Sequence, residues 1–377
     1  MRKSSETSDQ SQRLPVCAVL LAGGRGTRFW PRSRTRTPKQ LLNIVGRETM
    51  LLQTVARLKT LVPSRNIWVV TNTDQAAPVR RELRRVPASH ILAEPVGRNT
   101  AAAIGLAAIH LAHEHGDALM AVLPADAYIR DVAQYRRLVR GALGLARTPG
   151  NIVVLGVPPT RPETGYGYIE WGAAVNGPRG ITAYSVRRFT EKPTLRQARK
   201  YVASGKYFWN AGMFLWRVST FLENLQRFLP ATHDALRELA KAVGTRKYAG
   251  ALRRVYPGLE NISVDYAVME PATRVEGKSR VFVVPAKIRW SDIGSWAAVY
   301  ELLATKFGEN VSAGRSMSLD ASGNYFWSSK KFVAAIGVRD LVFVETADAV
   351  LLCARERSQD VGRIVKWLER SKTKDLL

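Results

Sequence analysis

Apolar and polar segments alternate along the first part of the chain. Continuous apolar runs, which favour buried strands, occupy Val16–Ala22, Ile67–Thr71, His90–Ala93, Ala118–Leu123 and Ile152–Val157. Segments with apolar residues at helical spacing lie between them, at Met50–Leu61, Gln75–Arg85, Asn99–His115 and Val132–Ala146. Strands that alternate with helices in this way predict a doubly wound α/β fold, in which a mostly parallel, Rossmann-like sheet carries helices on both faces.

The pattern changes from Thr164 onwards. We predict strands at Gly167–Trp171, Ala183–Thr190 and Ala211–Arg217, helices at Leu195–Ala203 and Thr220–Leu229, and further helical segments at 231–255 and 263–270. After Phe307 come short predicted strands with Gly and Ser turns, at Asn324–Trp327, Phe332–Val338, Leu341–Glu345 and Ala349–Cys353, and then a helix at Gln359–Arg370. We therefore expect a disordered lead-in at 1–14, a main domain at 15–305 and a smaller β-rich C-terminal domain at 306–377.

Composition adds a strong basic charge to this picture. The 377 residues include 57 Lys and Arg against 31 Asp and Glu, a net charge of +26, and the 46% hydrophobic content excludes wholesale disorder. A basic surface can attract nucleic acid, anionic lipid or phosphorylated small molecules. The runs at Val79–Arg85 and Arg136–Arg140 lie on polar faces of predicted helices, where solvation explains them. Since no nucleic-acid-binding motif is present, we expect no specific nucleic-acid partner.

The sequence also bears on cellular compartment. No apolar stretch approaches the ~20 residues that span a membrane. The first 14 residues, MRKSSETSDQSQRL, lack the apolar core of a signal peptide. Two cysteines, Cys17 and Cys353, cannot form a disulfide framework. We expect a cytoplasmic protein with no membrane partner.

A glycine-rich segment follows the first predicted strand, with the sequence GGRGTR and then PKQ. Its glycines, Gly23, Gly24 and Gly26, let the backbone approach a ligand, and exposed N–H groups on such a turn bind anions. Arg28 and Lys39 can add charge-assisted contacts to phosphate. The segment is neither a Walker A loop, because no GK[ST] follows, nor a dinucleotide fingerprint. A plain strand-to-helix turn with solvated arginines is the alternative for a bare glycine turn.

This segment resembles the signature of the nucleotide-sugar pyrophosphorylases. With seven further motifs, the chain resembles bacterial mannose-1-phosphate guanylyltransferases over about residues 16–370; the motifs are EPVGRNTAAAI, LPADAYI, ETGYGYIE, FTEKP, WNAGMFLW, VDYAVME and WSDIGSW. The resemblance implies that GTP and α-D-mannose 1-phosphate react to GDP-mannose and pyrophosphate with Mg²⁺ as cofactor. It also implies a homodimer that associates through a left-handed β-helix-like unit in the C-terminal domain.

The resemblance further implies roles for individual residues. The implied catalytic residues are Arg28, Lys39, Asp126, Lys192 and Asp292. The implied nucleotide-binding residues are Leu21, Ala22, Gly23, Gly24, Gly26, Thr27, Arg28, Lys39, Glu94, Pro95, Arg98, Asn99, Thr100 and Asp126. The implied sugar-phosphate-binding residues are Gly167, Glu191, Lys192 and Asn210. Whether Glu94 uses its carboxylate or its main chain stays open.

The implied metal ligands are Asp126 and Asp292. Asp126 lies just after a predicted strand, at the sheet edge where open α/β sheets bind ligands. Mg²⁺ is typically held by one or two carboxylates together with substrate phosphates. A single Asp in such a place is more simply a helix N-cap, but two in matching motifs favour a metal. One departure concerns the next residue, because relatives commonly have His where this chain has Ala127.

Two alternatives keep the resemblance and change the activity. The same chemistry could act on another hexose 1-phosphate or another nucleoside triphosphate, since spacing alone does not identify a base. The chain could also be a catalytically silent regulatory relative. Such a relative would have lost Asp126, Asp292 or Lys39, and all three are present.

Overall fold

A computed structural model describes residues 14–274, 280–371 and 373–377. The predicted disordered lead-in at 1–14 lies, apart from residue 14, outside this part of the chain. The first half contains strands β1 to β6 at Val16–Leu21, Ile67–Asn72, Ile91–Glu94, Leu119–Pro124, Tyr128–Ile129 and Asn151–Val157. Helices α1 to α4 lie between them at Met50–Leu58, Thr73–Glu82, Asn99–His115 and Val132–Ala146.

The second half is richer in strands. Strands β7 to β11 are Tyr168–Asn176, Thr182–Thr190, Tyr207–Arg217, Arg280–Pro285 and Trp290–Ser291. Strands β12 to β17 are Val311–Ala313, Ser316–Leu319, Tyr325–Ser328, Val333–Ile336, Leu341–Glu345 and Val350–Ala354. Helices α5 to α11 are Leu195–Ser204, Val218–Phe228, Pro230–Ala240, Tyr248–Val255, Glu270–Arg274, Trp296–Leu303 and Val361–Arg370, and a π-helical turn at Asp265–Met269 precedes α9.

The main sheet confirms the predicted α/β class. Its nine described strands run in the order β3-β2-β1-β4-β9-β6-β10-β8-β7, and β7 also pairs with β9. Strands β1 to β4 are mutually parallel and β6 is parallel to β10, whereas β9 is antiparallel to β4 and β6. The carboxyl ends of β1, β3 and β4 therefore share one edge, where polar motifs that are far apart in the sequence come together.

Helix α3 is buried on nearly all sides. Its residues between Ala101 and Ile109 are all buried, because the helix lies between the sheet and helices α6 and α7. Gly105 permits this close packing, since a Cβ there would overlap the Cδ1 of Leu236. A helix that is apolar nearly all round is expected in such a fully covered position.

Several elements differ from the sequence-based expectation. Strands β5, β10, β11, β12 and β13 and helix α10 were not predicted, and β9 begins four residues before Ala211. The segment predicted as helical at 231–255 consists of two helices, α7 and α8. Gly244 lies between them with φ +78°, a left-handed conformation that interrupts a helix.

In the C-terminal region, successive short strands pair in parallel and form a coil, unlike the layered sheet of the main domain. Val311 pairs in parallel with Tyr325, and Tyr325 pairs with Val342, while β13 and β15 form a second parallel pair. These successive turns form a short β-helix-like stack closed by the antiparallel strand β17. Its buried side chains share one apolar cluster with Phe29 and Trp296, so the C-terminal region packs directly on the segment that follows β1.

Within the described ranges, every helix is too short or too polar to cross a membrane.

Candidate active site

The glycine-rich turn after β1 packs closely against Lys39. Gly26 adopts φ +61°, and a Cβ at this position would overlap the Cβ of Lys39. Lys39 is buried, and its Nζ donates to Asp126 Oδ2 at 2.9 Å and to the main-chain oxygen of Asp292. The lysine therefore connects the turn to both predicted metal ligands.

The two aspartates reach this lysine from different strands. Asp126 follows β4, and Asp292 follows β11, which pairs with β5 just after Asp126. Tyr166 donates its hydroxyl to Asp292 Oδ1 at 2.6 Å. Burial first, and then the Asp292 carboxylate, raise the pKa of the Tyr166 hydroxyl, so this tyrosine stays a neutral donor.

This donor set fits a hard cation such as Mg²⁺. One oxygen of each carboxylate accepts a hydrogen bond, and within the described part of the chain the second oxygen of each accepts none. No cluster of three or more Asp, Glu, His or Cys side chains that could hold a metal occurs among the described residues. A cation here would thus take the two carboxylates and complete its shell with substrate phosphates, as Mg²⁺ commonly does.

A cavity of about 360 Å³ opens beside Asp126. The predicted nucleotide-binding residues that line it are Leu21, Gly23, Gly24, Glu94, Asn99, Thr100 and Asp126. Gln40 lines it as well and is fixed by bonds from its Nε2 to the oxygen of Ala22 at 2.6 Å and to Gln75 Oε1 at 3.0 Å. The cavity lies at the carboxyl ends of β1 and β3, with the N-terminus of α3 as one wall.

Glu94 is the buried acid of this cavity. Tyr256 donates its hydroxyl to Glu94 Oε1 at 2.7 Å, and Oε2 faces Gly23, where a Cβ would stand 3.2 Å away. Burial raises the pKa of Glu94, and the hydrogen bond from Tyr256 opposes that rise. The carboxylate is therefore held in one orientation next to the glycine turn.

Asn99 and Thr100 shape the entrance to α3. Asn99 has φ +63°, and its Oδ1 accepts a hydrogen bond from the Thr100 N–H at 2.9 Å. The Thr100 hydroxyl oxygen accepts from the Val264 N–H at 2.8 Å, which ties α3 to the segment before the π-helical turn. Asn99 thus adopts the left-handed conformation that asparagine tolerates better than most residues.

A second polar group surrounds Glu191. A Cβ at Gly167 would stand 2.5 Å from Glu191 Oε2, so only glycine lets this carboxyl occupy its place. Lys192 has φ +46° and its Nζ lies 3.3 Å from Glu191 Oε1. Burial first, and then the charge of Asp265, raise the pKa of Glu191 to about 7, against the pull of Lys192.

Asn210 is fixed at both ends of its amide. Its Nδ2 donates to Asp265 Oδ1 at 2.8 Å, and its Oδ1 accepts from the Gly212 N–H at 2.9 Å. Asp265 opens the π-helical turn, and burial raises its pKa. Single π-helical turns often occur at functional sites. Glu191 Oε2 is buried without a hydrogen-bond partner among the described residues, which leaves one acceptor for a ligand.

Comparison with known proteins places this arrangement in a family. A family model described as nucleotidyl transferase matches residues 17–307, and one described as a MannoseP isomerase/GMP-like beta-helix domain matches 314–368. The mannose-1-phosphate guanylyltransferase of Escherichia coli is 39% identical over 356 residues, which are 94% of this chain and 74% of the relative. The chain belongs to the nucleotidyl transferase family, among the mannose-1-phosphate guanylyltransferases.

Other members of the family agree with this assignment. The xanthan biosynthesis protein XanB of Xanthomonas campestris is 39% identical over 94% of this chain and 73% of the relative. A crystal structure from Thermus thermophilus, described as a mannose-1-phosphate geranyltransferase, is 36% identical with a TM-score of 0.84. It covers 94% of this chain and is itself covered completely. The nucleotidyltransferase fold with an added β-rich C-terminal region is therefore shared over most of the chain.

Some predicted nucleotide-binding residues lie beside the 360 Å³ cavity rather than on its wall. Ala22 is buried and its oxygen accepts from Gln40 and Thr71. Thr27 and Arg28 form a short turn that faces α11. Pro95 lines a different, larger cavity, and the Arg98 side chain donates to the Pro257 oxygen.

Sequence reasoning missed four residues that the structure adds to the site. They are Gln40, Tyr166, Tyr256 and Asp265, and each contacts a predicted site residue or lines the cavity. Three of them stand inside motifs quoted for the resemblance, PKQ, ETGYGYIE and VDYAVME, so the motifs themselves were the available signal. Tyr256 stands in no such motif.

The position after Asp126 is structural in this chain. The Ala127 side chain is buried, and its oxygen accepts from Arg57 Nη2 at 2.9 Å. Ala127 therefore belongs to a buried apolar cluster, and its methyl group offers no polar atom to a ligand.

Proposed function

We propose that the chain transfers a guanylyl group from GTP to α-D-mannose 1-phosphate, giving GDP-mannose and pyrophosphate. One observation carries this proposal. In a chain 39% identical to a mannose-1-phosphate guanylyltransferase, Lys39 links the glycine turn to Asp126 and Asp292 beside a cavity of about 360 Å³. A cationic side chain and two carboxylates at the mouth of a cavity suit a triphosphate with a divalent cation.

In this proposal the nucleotide occupies the 360 Å³ cavity. The base and ribose contact Glu94, Asn99 and Thr100, and the triphosphate lies over Gly23, Gly24 and Gly26. Lys39 and Arg28 balance the charge of the phosphates. Glu94 accepts from the base through its carboxylate, because Tyr256 orients that group and burial keeps water from competing with it.

Mannose 1-phosphate occupies the second polar group. Lys192 binds its phosphate. Glu191 accepts hydrogen bonds from the sugar hydroxyls, and Asn210 donates to them. Gly167 leaves the space that Glu191 requires, and in this proposal the sugar ring passes beside it. The unpartnered Glu191 Oε2 supports a hydroxyl donor as its natural partner.

The proposed reaction needs positioning more than proton transfer. The sugar phosphate oxygen is already anionic near neutral pH and attacks the α-phosphorus in line, with pyrophosphate as the leaving group. Lys39, Arg28 and Lys192 hold the two anionic substrates against their mutual repulsion and stabilise charge on the transferring group. Mg²⁺, held by Asp126 and Asp292, would supply further neutralisation of phosphate charge when bound.

We also propose a division of the chain and a homodimer. The nucleotidyltransferase domain spans 15–305 and the β-rich domain spans 306–377. Large apolar side chains are exposed on neighbouring strands of the β-rich domain, with Leu319 47% and Ile336 69% exposed, and these two are directly paired in register. Exposed apolar patches of this kind commonly mark an interface, here with a second copy of the chain.

A pyrophosphate-release assay tests the proposed activity. The purified protein is assayed over a grid of four nucleoside triphosphates and several hexose 1-phosphates, with and without Mg²⁺. We expect the highest kcat/KM with GTP and mannose 1-phosphate. A preference for another pair would identify a different pyrophosphorylase, and release with no pair would identify a silent relative.

A further inference from the structure

The β-rich domain holds the glycine-rich turn from outside. The first turn of α11 lies against it, since a Cβ at Gly362 would stand 3.5 Å from the Thr27 hydroxyl and 3.9 Å from Arg28 Cγ. At the far end of α11, Glu369 forms an ion pair with Arg25. Two segments that are distant in sequence are therefore in contact at both ends of this helix.

The last described residues extend the same contact. The main-chain oxygen of Leu376 accepts from Trp30 Nε1 at 3.0 Å and from the Arg34 guanidinium. Arg34 also pairs with Asp348 at 2.8 Å. Trp30 is buried, so this is a packed junction and not a loose surface approach.

One bond in this junction reaches a residue proposed to bind the triphosphate. Arg28 Nη1 donates to Gln359 Oε1 at 2.6 Å, across 331 positions of sequence. The same Nη1 and the Asp292 carboxylate both border Gly294, where a Cβ would stand 3.5 Å from the first and 3.0 Å from Asp292 Oδ2. Gln359 thus holds the guanidinium next to a proposed metal ligand.

We propose that Gln359 is a positioning residue for Arg28, so that the β-rich domain sets the geometry of triphosphate binding. The inference rests on the proposed function, because it assigns Arg28 to the triphosphate. Arg28 is exposed, and an exposed arginine side chain must be ordered before it can bind. A neutral amide oxygen holds the guanidinium without cancelling its charge, whereas a carboxylate at the same place would compete with phosphate.

Gln359→Met tests the proposal because it keeps the length of the side chain and removes the acceptor. Gln359 is exposed, so the variant should fold with an unchanged Tm. We expect the KM for GTP to rise about three- to tenfold, as loss of one typical intramolecular hydrogen bond would give, while the KM for mannose 1-phosphate stays the same. Asp360→Asn is the matched control, since Asp360 pairs with Arg357 and Arg363 and leaves the turn untouched.

A double-mutant cycle separates positioning from a structural role. If Gln359 acts through Arg28, then Gln359→Met should add nothing in an Arg28→Ala background. An equal rise in the KM for GTP in both backgrounds, an unchanged KM in the single variant, or a lower Tm with all kinetic constants altered would each overturn the proposal.

Calorimetric titration with nucleoside triphosphate and Mg²⁺ keeps the two proposals distinguishable. If the assay grid identifies a triphosphate other than GTP, the cycle is measured with that nucleotide, and the coupling between Gln359 and Arg28 is still expected. If turnover is absent but nucleotide binding persists, the proposed function fails, and the double-mutant cycle is then measured as the Kd of each variant for the nucleotide. If the effects of Gln359→Met and Arg28→Ala on this Kd are additive, the positioning role of Gln359 is rejected independently of the proposed function.

Discussion

Asp126 and Asp292 carry the proposed metal site, and among the described residues each accepts a hydrogen bond through one of its two carboxylate oxygens. Replacing either by Asn keeps the size of the side chain and removes the charge. We predict that Asp126→Asn and Asp292→Asn each lower kcat on the order of 100-fold or more, with little change in Tm, because phosphate charge is left unbalanced. Pyrophosphate release over a range of Mg²⁺ concentrations measures the effect.

Asp131→Asn is the control for these two variants. Asp131 lies near the same sheet edge and contacts Arg289 at 3.6 Å. It should keep full turnover. Near-normal kcat at saturating Mg²⁺ in either site variant would contradict the assignment of that aspartate to the metal.

Glu191 should make stability depend on pH. Burial raises its pKa to about 7 from an ordinary value of 4.5, so the folded chain ionises this carboxyl less readily than the unfolded chain does. Below 4.5 both states are protonated, and as pH rises towards 7 the folded state loses stability relative to the unfolded state. Glu191→Gln cannot ionise. We predict that its Tm exceeds that of the wild type by a difference that grows between pH 4.5 and 7, to on the order of 2–5 °C.

A constant Tm difference across this pH range would show that Glu191 has an ordinary pKa. Glu163→Gln is a suitable control, because Glu163 is more exposed and lies on the surface beside Arg161. Because the position is more exposed, its Tm should differ from that of the wild type by less than the Tm of Glu191→Gln does at pH 7.

At the scale of single residues, the sequence predicted those that stand in local patterns. Gly26 and Lys39 were found because a glycine turn followed by a basic residue suits phosphate. Tyr256 was not found, since its partner Glu94 lies 162 positions away and only folding brings them together. The same holds for Gln359, which reaches Arg28 from the other domain.

At the scale of elements, the glycines of the turn differ in whether the backbone conformation requires glycine. Gly26 has φ +61° and no room for a Cβ beside Lys39, whereas a Cβ at Gly24 would meet nothing within 4 Å. We predict that Gly26→Ala lowers the free energy of unfolding by about 2 kcal/mol or more and that Gly24→Ala leaves it nearly unchanged. Urea unfolding of both variants measures this. Equal losses would mean that the turn does not adopt this conformation.

Regular elements were predictable where a pattern persists over several residues. The buried runs of β1 and β4 and the periodicity of α3 and α4 needed no tertiary information. Strands β5 and β11 have two residues each and exist because they pair with each other. The strand β10 lies directly after residues outside the described ranges, and its apolar run, RVFVVP, was a signal that sequence reasoning did not use.

At the scale of the whole molecule, the proposed homodimer rests on the exposed apolar side chains of the β-rich domain. We predict that Leu319→Glu combined with Ile336→Glu converts the dimer to a monomer in light scattering coupled to size-exclusion chromatography. Two added carboxylates would oppose burial of this surface against a second copy of the chain. Leu195→Glu is the control, because Leu195 is a similarly exposed leucine on the main domain. A wild type that is monomeric at all concentrations would refute the proposal.

The net charge of +26 is also a property of the whole molecule, and we predict that it serves no specific nucleic acid. Two arginines of the turn form ion pairs within the protein, Arg25 with Glu369 and Arg34 with Asp348, and Arg28 is assigned to the triphosphate. Any polyanion is still attracted at low salt. DNA binding should be non-specific and weaken steeply with salt, to a Kd of about 10⁻⁴–10⁻⁶ M at physiological ionic strength.

Binding of GTP with Mg²⁺ should depend less on salt, because partly buried charge pairs are screened less than exposed ones. Fluorescence anisotropy of labelled DNA at rising NaCl, beside a parallel GTP titration, compares the two slopes. Two DNA duplexes of different sequence provide the control and should bind alike. Sequence-selective DNA binding with a sub-micromolar Kd at physiological salt would contradict the prediction, since attraction to phosphates alone does not produce sequence selectivity.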